Sequence, residues 1–177
     1  MQDCLKDGST CFQYADDTTV LVHAPPKDLK DRVNRMNNTL QSIESWAPDS
    51  NLLLNETKTK RMLVTTRQIS RAHDLGDYTS PLSLKNKIVD RVDRFRFLGT
   101  LLSQDLKWTE HVNNVTSSCF GVLAVLRKIK NMTPQDTKKS LVQSLALFQL
   151  NFNDTVTYPL PMFLQKRMQR VQNAALY

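Results

Sequence analysis

Apolar positions along the chain first alternate with period two and later recur at helical spacing, which predicts an α+β protein whose strands precede most of its helices. Residues 11–14 and 18–22 are rich in aromatic and β-branched side chains, and Ala15-Asp16-Asp17 supplies a polar turn between them, so a hairpin is expected over residues 10–24. Pro25-Pro26 ends its second strand. Leu29, Val33, Met36, Leu40 and Ile43 then repeat at spacings of four and three, the apolar face of an amphipathic helix. Trp46 lies near its end, and Pro48-Asp49-Ser50 is expected to break it. Leu52-Leu53-Leu54 and residues 61–66 read as two short strands about a polar turn, and residues 67–81 as an aperiodic surface loop. Over residues 82–102, Lys85-Asn86-Lys87 sits as a turn between apolar runs and Phe95-Arg96-Phe97 alternates, which fits a hairpin followed by a strand.

Beyond Asp105 the period becomes helical. Trp108, His111 or Val112, Val115, Cys119, Val122 or Leu123, Leu126 and Ile129 mark one face of a long helix starting near Thr109. A second helix is expected with Thr133 as cap, Pro134 in its first position and Leu141, Val142, Leu145 and Phe148 on its apolar side. Pro159 and Pro161 open a third, on which Leu164, Met168, Val171 and Ala175 repeat at four, three and four. The expected organisation is a mixed segment over residues 1–106 and a three-helix segment over residues 107–177.

With 177 residues, 40% of them hydrophobic, the chain can bury one ordinary core or two small lobes. Its three cysteines, Cys4, Cys11 and Cys119, form neither an even framework nor a CxxC pair, which argues against disulfides and a zinc knuckle and for a reducing compartment. The expected location is intracellular, in nucleus or cytoplasm, with the Asn-x-Ser/Thr triplets incidental. No apolar run approaches the roughly 20 residues that span a bilayer, so no membrane partner is expected. Charge is uneven. Residues 1–106 carry 15 Lys and Arg against 14 Asp and Glu, whereas residues 107–177 carry 9 against 3. A basic lobe of this kind attracts phosphate through counterion release.

The candidate chemistry lies in Tyr14-Ala15-Asp16-Asp17. Two-metal phosphoryl transfer needs hard oxygen ligands, and a hairpin tip presents carboxylates rigidly to an incoming substrate. An isolated Asp-Asp turn is more often simply solvated, but here it does not stand alone. Tyr14-Ala15-Asp16-Asp17-Thr18 resembles the signature of reverse transcriptases. Leu54-Asn55-Glu56-Thr57-Lys58-Thr59, Phe95-Arg96-Phe97-Leu98-Gly99-Thr100, Leu106-Lys107-Trp108-Thr109-Glu110-His111-Val112 and Gln169-Arg170-Val171-Gln172-Asn173-Ala174-Ala175 resemble, in the expected order, segments of the non-LTR (LINE-type) retrotransposon members.

The resemblance implies the latter part of an RNA-directed DNA polymerase: a partial palm with the acidic hairpin and its packing helix, then a helical thumb. It implies Asp16 as a ligand of Mg²⁺ or Mn²⁺, Asp17 as its weaker neighbour, and Tyr14 and Lys58 near the primer end and the triphosphate. Phe97, Leu98 and Gly99 would lie at the primer grip, Gly99 permitting close approach of a strand; a simple turn is the competing account. Arg127, Lys128, Lys130, Lys138, Lys139, Lys166, Arg167 and Arg170 are candidates for contact with the backbone of an RNA template and DNA primer duplex, whereas Trp108 and His111 read mainly as core and capping residues. No counterpart of the family's first palm aspartate, fingers or glycine-rich template segment is identified before Tyr14. The chain is therefore expected to bind metal weakly, to lack polymerase activity alone, and to leave a surface for the missing fingers and palm segment. The alternative reading is a nucleic-acid-binding or interaction-only remnant of a retroelement.

Overall fold

A computed structural model describes residues 9–76, 80–129 and 131–176. The chain is mixed α and β, with four two-stranded sheets among the described residues, and divides into two compact units, Met1–Asp93 and Arg94–Tyr177. The hairpin of residues 94–103 thus belongs with the helices that follow it.

In the first unit, β1 (Ser9–Tyr14) and β2 (Asp17–Val22) pair antiparallel, with Tyr14 opposite Asp17 and a two-residue turn between them. After a short 3₁₀ turn at Pro26–Asp28 comes α1 (Leu29–Asp49). Its innermost row is Thr39, Ile43 and Ala47, flanked by the half-buried Val33, Met36 and Leu40. Pro48 lies inside the last turn instead of breaking the helix before it. At that place the missing amide removes only one terminal bond, and the helix ends one residue later.

The expected strands at residues 52–54 and 61–66 are replaced by irregular chain, apart from β3 (Lys60–Arg61), which pairs parallel with β6 (Asp90–Arg91). Leu53 is 94% exposed, so its apolar run faces solvent. Side chains brace the pairing: Lys60 Nζ meets Asp90 Oδ2 at 2.7 Å, and Arg61 donates through Nε to the Val89 carbonyl at 3.1 Å and through Nη1 to that of Ser80 at 2.7 Å. The expected loop at 67–81 begins with α2 (Arg67–Ala72), whose first turn is capped by Thr66 Oγ1 accepting from the Ile69 amide. Residues 77–79 of that loop lie outside the described residues. β4 (Ser83–Leu84) and β5 (Lys87–Ile88) flank a Lys85-Asn86 turn in which both residues have positive φ, the geometry that suits the twist of a hairpin. Asn37 of α1 holds the entry to this hairpin, donating to the Pro81 carbonyl and accepting from the Ser83 amide.

In the second unit, β7 (Arg94–Phe97) and β8 (Thr100–Ser103) pair across Leu98-Gly99, again with both φ angles positive. The expected strand is thus a third hairpin with a two-residue turn. α3 (Thr109–Lys128) buries His111, Val112, Thr116, Cys119 and Leu123. Thr133 does not cap the next helix: Pro134 occupies the cap position, and the Thr133 hydroxyl donates back to the Ile129 carbonyl at 3.0 Å. α4 (Gln135–Val142) runs through a π-helical turn at Gln143–Leu147 into α5 (Phe148–Asn151). The expected apolar side holds for Leu141 and Val142 and fails for Leu145 and Phe148. Val142, Ala146 and Leu150 recur every four residues and face inward, while Leu145 and Phe148 are exposed, Phe148 lying about 200° around the axis of α5 from the buried Leu150. A short α6 (Asp154–Thr157) precedes α7 (Met162–Ala175), which starts after Pro161 and buries Leu164 and Val171 as its spacing predicts. Cys119, Leu123, Ala146, Leu150 and Val171 form the centre of the core, and the Cys119 thiol donates to the Ala146 carbonyl at 3.3 Å. Among the described residues, no helix is long and apolar enough to cross a membrane.

Candidate functional site

The acidic pair is split between turn and strand. Ala15, with φ of 49°, and Asp16 make the two-residue turn, so Asp16 stands at the apex; Asp17 is the first residue of β2, not part of the tip. Residues directly opposite in the ladder share a face. Thr10, Phe12 and Tyr14 therefore lie beside Leu21, Thr19 and Asp17, and this face is open: Phe12, Tyr14 and Leu21 are 56%, 67% and 54% exposed. The other face carries Cys11, Val20 and Val22, each half-buried. Asp16 and Asp17 are both exposed, and among the described residues no three His, Cys, Asp or Glu side chains come together to hold a metal ion. Two adjacent carboxylates are the correct donor chemistry for Mg²⁺, but by themselves they do not close a site.

Lys58 is exposed on a loop that is tied down internally. The Asn55 side-chain oxygen accepts from the Thr57 hydroxyl at 2.8 Å and the Lys58 amide at 3.1 Å, and the Asn55 carbonyl accepts from both the amide and hydroxyl of Thr59. Glu56 reaches Lys87 at 2.7 Å, and this hydrogen-bonded ammonium holds its carboxyl below the usual range. The loop fixes its backbone and leaves the Lys58 ammonium outside these bonds.

In the second unit, Phe97, Leu98 and Gly99 form the end of β7 and its turn. Gly99 has φ of 84°, and a Cβ there would stand 2.7 Å from Cε1 of Phe152. The clearance that a glycine gives is thus taken by a ring of the same unit. Asn153, itself left-handed with φ of 58°, donates through Nδ2 to the Leu98 carbonyl at 3.3 Å and to Thr100 Oγ1 at 2.7 Å. Sequence reasoning misses this Phe152-Asn153 clasp on the hairpin: the glycine signals a close approach, but nothing in the sequence names its partner.

His111 is 7% exposed on the first turn of α3, where Nδ1 accepts the Leu101 amide at 3.2 Å and the ring stands edge-on to Trp108 at 6.3 Å. Accepting at Nδ1 requires the neutral ring. Burial, and then the nearby Arg96, push its pKa down. His111 is thus the core residue expected.

The basic candidates differ in their engagement. Arg127 donates to the Ala174 carbonyl at 3.1 Å, and Arg167 through Nε to the buried Thr116 hydroxyl at 3.3 Å, so both tie α3 to α7. Lys139 lies 3.7 Å from Asp136, a loose exposed pair, and Lys138 is half-buried. Lys128, Lys166 and Arg170 are exposed, and Lys130 lies outside the described residues. Counted by structural unit, the charge asymmetry sharpens. Residues 1–93 hold 13 basic and 13 acidic side chains, and residues 94–177 hold 11 and 4, so the whole net charge of +7 belongs to the helical unit.

No family model matches the chain, and no solved structure matches it. A stretch of 50 residues, 28% of the chain, is 36% identical to the fusion glycoprotein F0 of human parainfluenza 2 virus, in its Toshiba and Greer strains among others. The match spans only 9% of that glycoprotein's length.

Proposed function

We propose that this chain is part of an RNA-directed DNA polymerase similar to those of non-LTR retrotransposons, contributing a partial palm and a thumb-like helical unit. The observation that carries the reading is Asp16 at the exposed apex of a tight hairpin, with Asp17 beside it opposite Tyr14. A tip of this kind can present a carboxylate to metal-bound triphosphate. In the complete enzyme Mg²⁺ or Mn²⁺ supplies charge neutralisation and activation of the attacking hydroxyl. The chain's own part is to position Asp16, with Asp17 and Tyr14 holding the tip and Lys58 offering positive charge for phosphate. No catalytic step is assigned to the chain alone, since its described residues do not close a metal site. Purified chain should give no Mg²⁺-dependent primer extension. Mixed with a complementary polymerase segment it should give extension that Asp16→Ala abolishes. Extension by the Asp16→Ala mixture, or by purified chain alone, would contradict this assignment.

The second reading, a nucleic-acid-binding remnant, is favoured by the confinement of all net charge to the helical unit. Backbone contacts of that kind position nucleic acid without reading its sequence. Binding to an RNA–DNA hybrid should fall steeply as salt rises. Neutralising Lys138 and Lys139 should weaken it and reduce the slope of log affinity against log salt by about 1 for each phosphate no longer engaged. A salt-insensitive affinity, or one indifferent to these lysines, would leave only the interaction-only alternative.

A further inference from the structure

We infer that Phe148 and Phe152 form a stacking ledge for an unpaired base of single-stranded nucleic acid, an inference that rests on the nucleic-acid reading above. The two rings are 63% and 44% exposed, with centroids 6.1 Å apart and planes inclined at 47°. Phe152 is the seated member of the pair. Phe152 fills the space that Gly99 leaves open, and the adjoining Asn153 is pinned to the Leu98 carbonyl and Thr100 hydroxyl. Phe148 points outward because it stands two residues, about 200° around the axis, before the buried Leu150 on the regular helix α5. Leu98, 39% exposed, stands beside Gly99 in the turn on which Phe152 packs.

Charge selects the occupant. The unit holds 11 basic against 4 acidic side chains, and the exposed Arg96 lies two residues before Leu98 on β7. An exposed aromatic pair on a unit of net positive charge, even with the acidic Asp154 two residues beyond Phe152, suits a polyanion that also has flat apolar faces. Unpaired nucleotides have both properties, whereas a duplex keeps its base faces inside the stack. Stacking of one base on an aromatic side chain changes affinity by about 5- to 150-fold on truncation.

The test uses the full chain and a fluorescent oligothymidylate of about twelve nucleotides, a length within the usual single-strand site size. Phe148→Ala, chosen because the ring is exposed, should weaken binding about 5- to 150-fold with an unchanged melting curve and salt slope. Phe148→Trp should restore affinity, and an abasic oligonucleotide should bind the wild-type chain as weakly as the oligothymidylate binds the Ala variant. Salt-sensitive binding that ignores both Phe148→Ala and base removal overturns the ledge and leaves the nucleic-acid reading standing. No oligonucleotide binding by the wild-type chain overturns both. Concentration-dependent self-association abolished by Phe148→Ala, with no dependence on bases, also overturns the ledge.

Discussion

At Gly99 two independent constraints meet, a left-handed φ of 84° and the Phe152 ring 2.7 Å from where a Cβ would stand. Gly99→Ala should therefore destabilise the helical unit by about 2 kcal/mol or more, combining backbone strain with overpacking. Adding Phe152→Leu should relieve only the steric part, so the double variant is less destabilised than the sum of the singles, read by chemical denaturation. His111 gives a pH signature. Its folded-state pKa is depressed, so the stability it contributes is complete above the unfolded value of about 6.5 and is lost as pH falls from there through the folded value. Melting temperature should drop over that acidic window. His111→Asn, which keeps an acceptor for the Leu101 amide without a titrating ring, should flatten the drop; an unchanged pH profile would refute this origin.

The elements legible in the sequence are those whose partners are local. The acidic hairpin, α1, α3 and α7 follow from alternation or from four-and-three spacing, and each is observed close to its expected bounds. The π turn is not legible, because apolar spacing read at 3.6 residues per turn carries no sign of one locally wider turn. Nor is the parallel pairing of Lys60–Arg61 with Asp90–Arg91, since it joins residues about thirty positions apart. The same division holds for the candidate site. Asp16 stands out through a short motif, whereas the engagement of Arg127 with Ala174 and of Arg167 with Thr116 needs the packed bundle. The π turn makes a prediction of its own: deleting Ser144 should be absorbed by conversion to a regular helix, since the wide turn carries surplus length. Helical content by circular dichroism should survive, whereas deletion of Ser118 from α3 should disrupt the bundle.

For the whole molecule, the division at Asp93 separates a neutral unit from one that holds all the excess charge. A chain comprising residues 94–177 should fold cooperatively around Leu150 and Val171 and retain salt-dependent nucleic-acid binding, while residues 1–93 should show none. Leu150→Ala, at 2% exposure, should cost about 2–5 kcal/mol in that unit. In the neutral unit, Phe12, Tyr14 and Leu21 on the open face of a lone hairpin favour association of the free chain, and light scattering should decrease when Phe12 and Leu21 are made polar. The two described cysteines supply a gauge of these motions. Cys11 is half-buried on the hairpin, whereas Cys119 is wholly enclosed and burial pushes its thiol pKa up. Alkylating reagent should thus modify Cys11 in the native chain but reach Cys119 only through opening of the bundle. The rate at the second sulfur then times how often the helices part, without any added probe.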